Sequence, residues 1–401
     1  MTANDGSEAR GSEQLRELSE QAVLEAIFRS GPITRPEIAS STNLSRPTVS
    51  AVVDRLERAG LVRADGARDG GRGRKPMAYS VSDRAGFVIG VDIGGTNLRA
   101  GATDLYGQFL HEEREPTTKD GSRALGQQIT AMVGRCERAA RATHQRPLAL
   151  GISTPGVVDQ ASRRVTSLAY NLTPDGGFDP LGVIGERLGV PVVVDNNVNL
   201  AAIGEKWGGL ARGVSDFAFL SIGAGVGMGI VLGDELVRGA HGAAGEIGYL
   251  PIGRDPFDAR HRIHGGLEDE VGADGVLAAA HARTTWDGPA PTSAQEVFER
   301  AQAGDPTAGE VVSELAQKIG LAIATICSVI DPELVALGGG IGSNPTLVAP
   351  VRAAVAQLVP LTVRIETSLL AEKAALHGAV AVALREARAG LFSTLKAVAA
   401  S

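Results

Sequence analysis

Cysteine is nearly absent. Cys136 and Cys327 are the only two in 401 residues, and they stand far apart in helix-type stretches, which excludes a disulfide framework and a cysteine zinc cage. Both are expected to be reduced and buried. Long apolar runs are missing as well: the longest, residues 319–330, stops at Asp331-Pro332, short of the roughly 20 residues that a membrane-spanning helix needs. The N-terminal stretch is acidic and polar where a secretion signal would be basic and then apolar. A cytoplasmic protein without membrane contact is expected.

What is present is an apolar content of 43%, enough for the cores of two or three domains. The net charge of −7 is unevenly spread. Residues 1–82 hold 12 Lys and Arg against 11 Asp and Glu, while the remainder holds 27 against 35. Within residues 44–80 the counts are 8 and 4, so a basic module precedes an acidic body and a polyanion should meet the module alone.

That module has a legible pattern. A first helix is expected over residues 15–29, with Val23, Leu24, Ile27 and Phe28 on one face and Gly31-Pro32 stopping it. Thr34 with Glu37 three residues on is a capping box, opening a short helix that ends near Asn43. Ser45 can cap a third, in which Val49, Val52, Val53 and Leu56 share a face and Arg46, Pro47, Thr48 and Ser50 lie at the outward start. Two strands, residues 61–64 and 77–81, then flank a Gly-rich basic tip whose Arg72, Arg74 and Lys75 can reach phosphates or a minor groove. Taken apart, the helices could form a three-helix dimerisation bundle and the tip a flexible, solvated linker. Helix, turn, recognition helix and wing in this order point to a winged helix-turn-helix that binds DNA.

After Asp83 strand and helix signals alternate, as in an α/β body. Residues 87–105 read as a β-hairpin around Gly94-Gly95, where backbone amides and Thr96 can meet an anion and Asp92 can hold a hydrated Mg²⁺. A plain hairpin turn with a solvated Asp explains the same residues. A second glycine-rich hairpin begins at Ser221, which makes a weak internal repeat. Further motifs are G-I-S-T-P-G-V-V-D from Gly151, V-D-N-N-V-N-L-A-A-I-G-E from Val194, G-A-A-G-E-I-G-Y from Gly242 and L-G-G-G-I-G from Leu337.

The order and spacing of this set resemble the ROK family (repressors, open reading frames and kinases), in its xylose-repressor type. The resemblance covers nearly the whole chain. It implies a winged helix-turn-helix at 1–82, then at 83–401 an α/β actin-like sugar-kinase fold of two lobes, with a sugar in the cleft. Carried over by motif, Asn196, Asn197, Glu246 and Glu268 contact the sugar, and Tyr249 replaces a family His. The kinases carry an Asp as general base where this chain has Asn197, and an amide holds a hydroxyl without taking its proton. They also carry G-T-G where this chain reads Gly223-Ala224-Gly225. Asp92, Gly94, Gly95, Thr96, Gly223, Gly225 and Gly339 are therefore read as a vestigial nucleotide site. The family's zinc cysteines are missing, and His261 and His264 beside Tyr249 make a poor cage, so no metal and no cofactor are expected.

The resulting expectation is a sugar-responsive DNA-binding repressor of carbohydrate genes, catalytically silent. It would bind a palindromic operator as a homodimer or a dimer of dimers. The alternatives are an active sugar kinase with a DNA-binding extension, and a regulator answering to a phosphosugar or a protein partner.

Overall fold

The computed structural model describes residues 5–67, 76–159, 165–166, 188–253 and 255–399. Two five-stranded sheets organise it. In the first the order is Val192–Asn196, Pro147–Thr154, Phe87–Ile93, Asn97–Thr103, Phe109–Pro116. In the second it is Arg364–Thr367, Leu334–Gly338, Phe217–Ile222, Val226–Leu232, Glu235–Val237. In both, the first three strands in the chain form an antiparallel meander and the last two add in parallel on the other side. The faint repeat of two glycine-rich hairpins in the sequence is thus a full duplication of sheet topology.

Outer faces are covered by helices. Ser122–Ala140 lays Leu125, Ile129, Met132 and Cys136 on the first sheet. Pro306–Ile330 lays Leu315, Ile319, Ile323 and Cys327 into the core of the second. This helix extends a full three turns ahead of the apolar run, because Asp305 caps it through the Thr307 and Ala308 amides and Pro306 opens it. By length and composition it could cross a membrane, but its apolar face packs in the core.

Two more helices form the layer between the sheets. Asn197–Gly208 packs Ala201 and Ala202 with Phe217, Phe219 and Val231 of the second sheet. Ala374–Ala399 packs on the first sheet and on Asn197–Gly208 at once. The approach is closer than side chains allow: a Cβ on Gly151 would lie 1.9 Å from the Ala379 carbonyl oxygen, and one on Gly378 1.7 Å from that of Leu200. A buried carboxylate reinforces the layer, since Glu205 accepts hydrogen bonds from the Leu210 amide at 2.6 Å, the Leu370 amide at 2.9 Å and the Ser368 hydroxyl.

The N-terminal module folds as its local signals require. Asp5–Ser30 is the first helix, longer than the apolar pattern alone implied. Thr34 and Glu37 form the capping box of Arg35–Thr42, and Asn43 ends that helix in the left-handed region at φ 55°. Ser45 caps Arg46–Arg58, whose buried face is Val49, Val52, Val53 and Leu56. Strands Ile33–Thr34, Met77–Val81 and Val62–Ala67 make a small sheet in that order. The tip with Arg72, Arg74 and Lys75 lies outside the described residues.

This module does not hang from a tether. Its Phe28, Ile33, Leu56, Tyr79 and Val81 share one apolar cluster with Val88 and Leu105 of the first lobe and Val380, Leu384 and Leu391 of the last helix. The Arg388 guanidinium stacks 4.5 Å over the Phe28 ring and donates to the Leu105 carbonyl at 3.1 Å. Tyr106 accepts a hydrogen bond from the Val81 amide at 2.8 Å. Gly378→Ala should therefore strain backbone against backbone in the middle layer and cost about 3 kcal/mol or more. Urea unfolding of the full chain measures it, and a change within error would show that the layer can separate freely.

Candidate functional site

At the outward start of the helix Arg46–Arg58, Ser45 Oγ accepts from the Thr48 amide at 3.2 Å and lies 2.7 Å from Thr48 Oγ1. Both residues therefore serve the cap first. Ser45, Arg46 and Pro47 are exposed, Thr48 and Ser50 half-buried. Arg46 has no ion-pair or hydrogen-bond partner for its side chain among the described residues, whereas Arg35 is held by Asp54 and by the Tyr79 hydroxyl at 2.8 Å, and Arg55 by Glu20. A guanidinium left free at the start of such a helix is available for a base edge or a phosphate.

In the cleft, the helix Asn197–Gly208 brings its N-terminus to the space between the sheets. The Asn196 side-chain oxygen accepts from the Val198 amide at 2.8 Å and the Asn199 amide at 3.3 Å, while its nitrogen donates to the Gly156 carbonyl at 3.0 Å. Asn196 is largely spent on holding the helix start. Asn197 is half-buried, its amide has no partner among the described residues, and it lines a cavity of about 370 Å³ with Asp92, Gly94, Ser221, Gly339 and Glu372. The nearest acid in sequence, Asp195, is buried and fully engaged: it accepts from Arg238 Nε and Nη2 at 3.0 and 2.8 Å, from Asn199 Nδ2 at 3.2 Å and from the Asn196 amide at 2.8 Å. Nothing in the sequence pattern pointed to Arg238, which reaches Asp195 from a loop more than forty residues away.

Asp92 sits at the end of the first hairpin strand, buried, accepting from Ser153 Oγ at 2.7 Å and facing Arg99 Nη1 at 3.8 Å. Burial pushes its carboxyl up to about 6, against the pull of Ser153 and Arg99. Arg99 is also paired with Glu372, which in turn meets Arg114 at 3.2 Å. The hairpin turn is tied down from outside: Thr117 Oγ1 donates to the Gly94 carbonyl at 2.7 Å and Lys119 Nζ to that of Gly95 at 2.6 Å, while the Thr96 carbonyl accepts from the Thr117 amide at 2.9 Å. In the second hairpin the Gly223 amide donates to the Gly225 carbonyl at 3.0 Å. Gly339, at φ 79°, takes a left-handed turn against the Ile222 backbone. The two glycine loops abut, since a Cβ on Gly223 would lie 3.4 Å from the Gly340 nitrogen.

Glu246 and Glu268 come together beside this second hairpin. Glu268 accepts from the Val226 amide at 2.8 Å, and its carboxyl is raised by burial despite that bond. Glu246 is raised by burial and then by the neighbouring Glu268 charge. Tyr249 is exposed and reaches the Ile263 carbonyl at 3.5 Å. Glu268 lines a larger cavity of about 550 Å³ with Ala224, Asp258, His261 and His264. Asn197 and Glu268 line different cavities, and neither Glu246 nor Tyr249 lines either of these two. The residues here do not fit a structural zinc: a phenol and two histidines, with His261 Nε2 facing Asp269 at 3.5 Å, offer no thiolate.

The ROK family model matches residues 88–386, and a MarR family model matches residues 18–74. The chain belongs to the ROK family. It is 28% identical over 389 residues to the putative xylose repressor of Caldicellulosiruptor sp. (strain Rt8B.4), which spans 93% of this chain and 96% of that protein. A ROK family transcriptional regulator, homolog of the E. coli MLC protein, superposes with a TM-score of 0.77 over 95% of this chain and 98% of its own, at 21% identity, a likeness of fold. A ROK family glucokinase from Streptomyces griseus, solved with glucose and AMPPNP, is 28% identical with a TM-score of 0.63, over 75% of this chain and 100% of its own. A MarR-type winged helix in front of a ROK domain makes this protein a sugar-responsive transcriptional regulator in build.

Arg46→Ala is expected to weaken operator binding by about 1 to 3 kcal/mol and to relax sequence preference at one position, as read by gel shifts over an operator library. Asp92 generates a pH dependence. The native carboxyl binds its proton up to about 6, whereas in the unfolded chain it ionises near 4, so stability from this group is present at low pH and falls as pH rises between these values. Asp92→Asn should lack that decline, and its urea midpoint should gain on the wild type from about pH 4 to about pH 7.

Proposed function

We propose that this ROK protein is a repressor of carbohydrate genes that holds a sugar in the cleft without phosphorylating it. The supporting observation is the shared middle layer: the helix that starts at Asn196 and Asn197 is packed, backbone to backbone, on the helix whose far end carries the DNA-binding module. In this reading Asn197, Glu246 and Glu268 bind the sugar hydroxyls, with Tyr249 at the rim and Asn196 fixing the helix. Amide and carboxylate oxygens accept from adjacent hydroxyls, and the Asn197 nitrogen donates back. A sugar that bridges Asn197 and Glu268 favours one spacing of the lobes over others, and a change of that spacing moves the middle layer.

Phosphoryl transfer lacks a base in this arrangement. Asn197 takes no proton, and Asp195 is held by Arg238. The remaining residues of the hairpins, Asp92, Gly94, Gly95, Thr96, Gly223, Gly225 and Gly339, are assigned as remnants of a nucleotide site that now shape turns. The DNA module is assigned to 1–82 and the effector-binding part to 83–401. Ser45, Arg46, Pro47, Thr48 and Ser50 face the operator, and a homodimer presents two such helices to a palindrome. Work on an operator places the protein in the cytoplasm.

The test has two arms. A coupled assay for ADP across common sugars should show no turnover, in the wild type or in Asn197→Asp; a measurable wild-type rate would establish a kinase with a DNA-binding extension. A thermal-shift panel of monosaccharides identifies the effector. With that sugar, operator affinity should fall about 5- to 150-fold, as typical coupling allows. Glu246→Ala should abolish the response and keep sugar-free operator binding near wild type. Loss of DNA binding by that variant without sugar would make Glu246 a structural residue instead.

A further inference from the structure

A third cavity, of about 390 Å³, opens where the middle-layer helices reach the surface, between Asn197–Gly208 and Ala374–Ala399. Its wall combines Lys206, Arg212 and Arg385 with Trp207, Ile203 and Val382, and no lining residue is a carboxylate. The body from residue 83 onward carries 27 basic residues against 35 acidic. Elsewhere in the lobes Arg99, Arg114, Arg135, Arg238 and Arg364 all face carboxylates. Arg212 and Arg385 are exposed, and among the described residues their side chains have no hydrogen-bond or ion-pair partner.

The third cation is a fixed part of the wall. Lys206 Nζ donates to the Val214 carbonyl at 2.6 Å and is paired with Asp234. Trp207 is also held in place: its ring edge leaves no room for a Cβ at Gly107, 2.3 Å away, and its centroid is 6.1 Å from that of His377. The cavity therefore offers two free planar guanidinium forks, whose geometry suits bidentate phosphate recognition, beside a rigid aromatic and aliphatic floor. The cavity is a shallow one, open on one side, and an apolar floor beside a few polar groups in a volume of this size is in the usual range for a small ligand.

We propose that this cavity is a second ligand site, separate from the sugar cleft, for a phosphate monoester of a small ring compound. Arg212 and Arg385 hold the phosphate and Trp207 covers the ring. The site lies one turn from Arg388, which stacks on Phe28 of the DNA-binding module, so its occupant sits beside the joint between effector domain and DNA head.

The full chain has two tryptophans, Trp207 and Trp286, and Trp286→Phe leaves Trp207 as the lone indole reporter. Glucose 6-phosphate, ribose 5-phosphate and AMP are titrated against it, with glucose, inorganic phosphate and sulfate in parallel. At least one monoester should change Trp207 emission saturably with a Kd of about 1 mM or tighter. Arg212→Gln and Arg385→Gln should each weaken that binding roughly tenfold or more, with melting temperatures near the parent's, and Arg→Lys at either position should restore only part of it. Silence from all three monoesters overturns the proposal. So does a response that survives both Gln substitutions, or one that glucose gives equally. A response matched by phosphate or sulfate means an adventitious ion only. Weaker operator binding by the Gln variants without any added ligand would show that these arginines touch the DNA backbone, and the ligand site would be withdrawn.

Discussion

The contact that the rest of the structure depends on is the one between the two middle-layer helices. Asn197–Gly208 and Ala374–Ala399 meet where Gly378 lies under the Leu200 carbonyl, with Gly151 letting the first sheet approach from the other side. Protein interiors at that density transmit displacement, because there is no void to absorb it. Glu205 closes the arrangement by binding the Leu210, Ser368 and Leu370 groups that bracket the entrance to the last helix. A buried carboxylate with several donors costs desolvation that only such a full set offsets. One helix pair thus touches both sheets, the cleft and the DNA-binding module.

Where the sequence was legible, the signals were local. Thr34 with Glu37, Asn43, Ser45 and the Val49 to Leu56 face each act within a turn or two of helix, and the structure uses each as the spacing implied. The two glycine-rich hairpins hinted at duplication, and the matching strand order bears it out. What escaped was set by contacts between distant segments. Asn196 resembles a sugar ligand by motif, but its role as a helix cap shared with the Gly156 carbonyl depends on a bend forty residues earlier. Arg238 and Glu372 bear no pattern at all, yet they decide where Asp195 and Arg99 point. That Asn197 and Glu268 line different cavities likewise depends on how distant segments pack, which no local motif encodes.

Charge in the cleft follows the same logic of completeness. Asp92, Arg99, Glu372 and Arg114 form a chain from the buried strand end to the surface, each charge answered by the next. Both acids of that chain, Asp92 and Glu372, line the cavity that also holds Asn197 and Gly339.

The joint between the module and the first lobe has a further meaning for how the chain can be divided. Phe28, Tyr79 and Val81 are buried partly by Val88, Leu105, Val380 and Leu384, residues that lie beyond Ser82 in sequence. A fragment ending at Ser82 would uncover this apolar face, and a fragment starting at Asp83 would uncover its complement. Cleavage near that point would leave two pieces, each with an uncovered apolar face. A DNA-reading head exchanged between relatives has accordingly to match, at Phe28 and Val81, the Arg388 and Tyr106 that wait for it on the effector part.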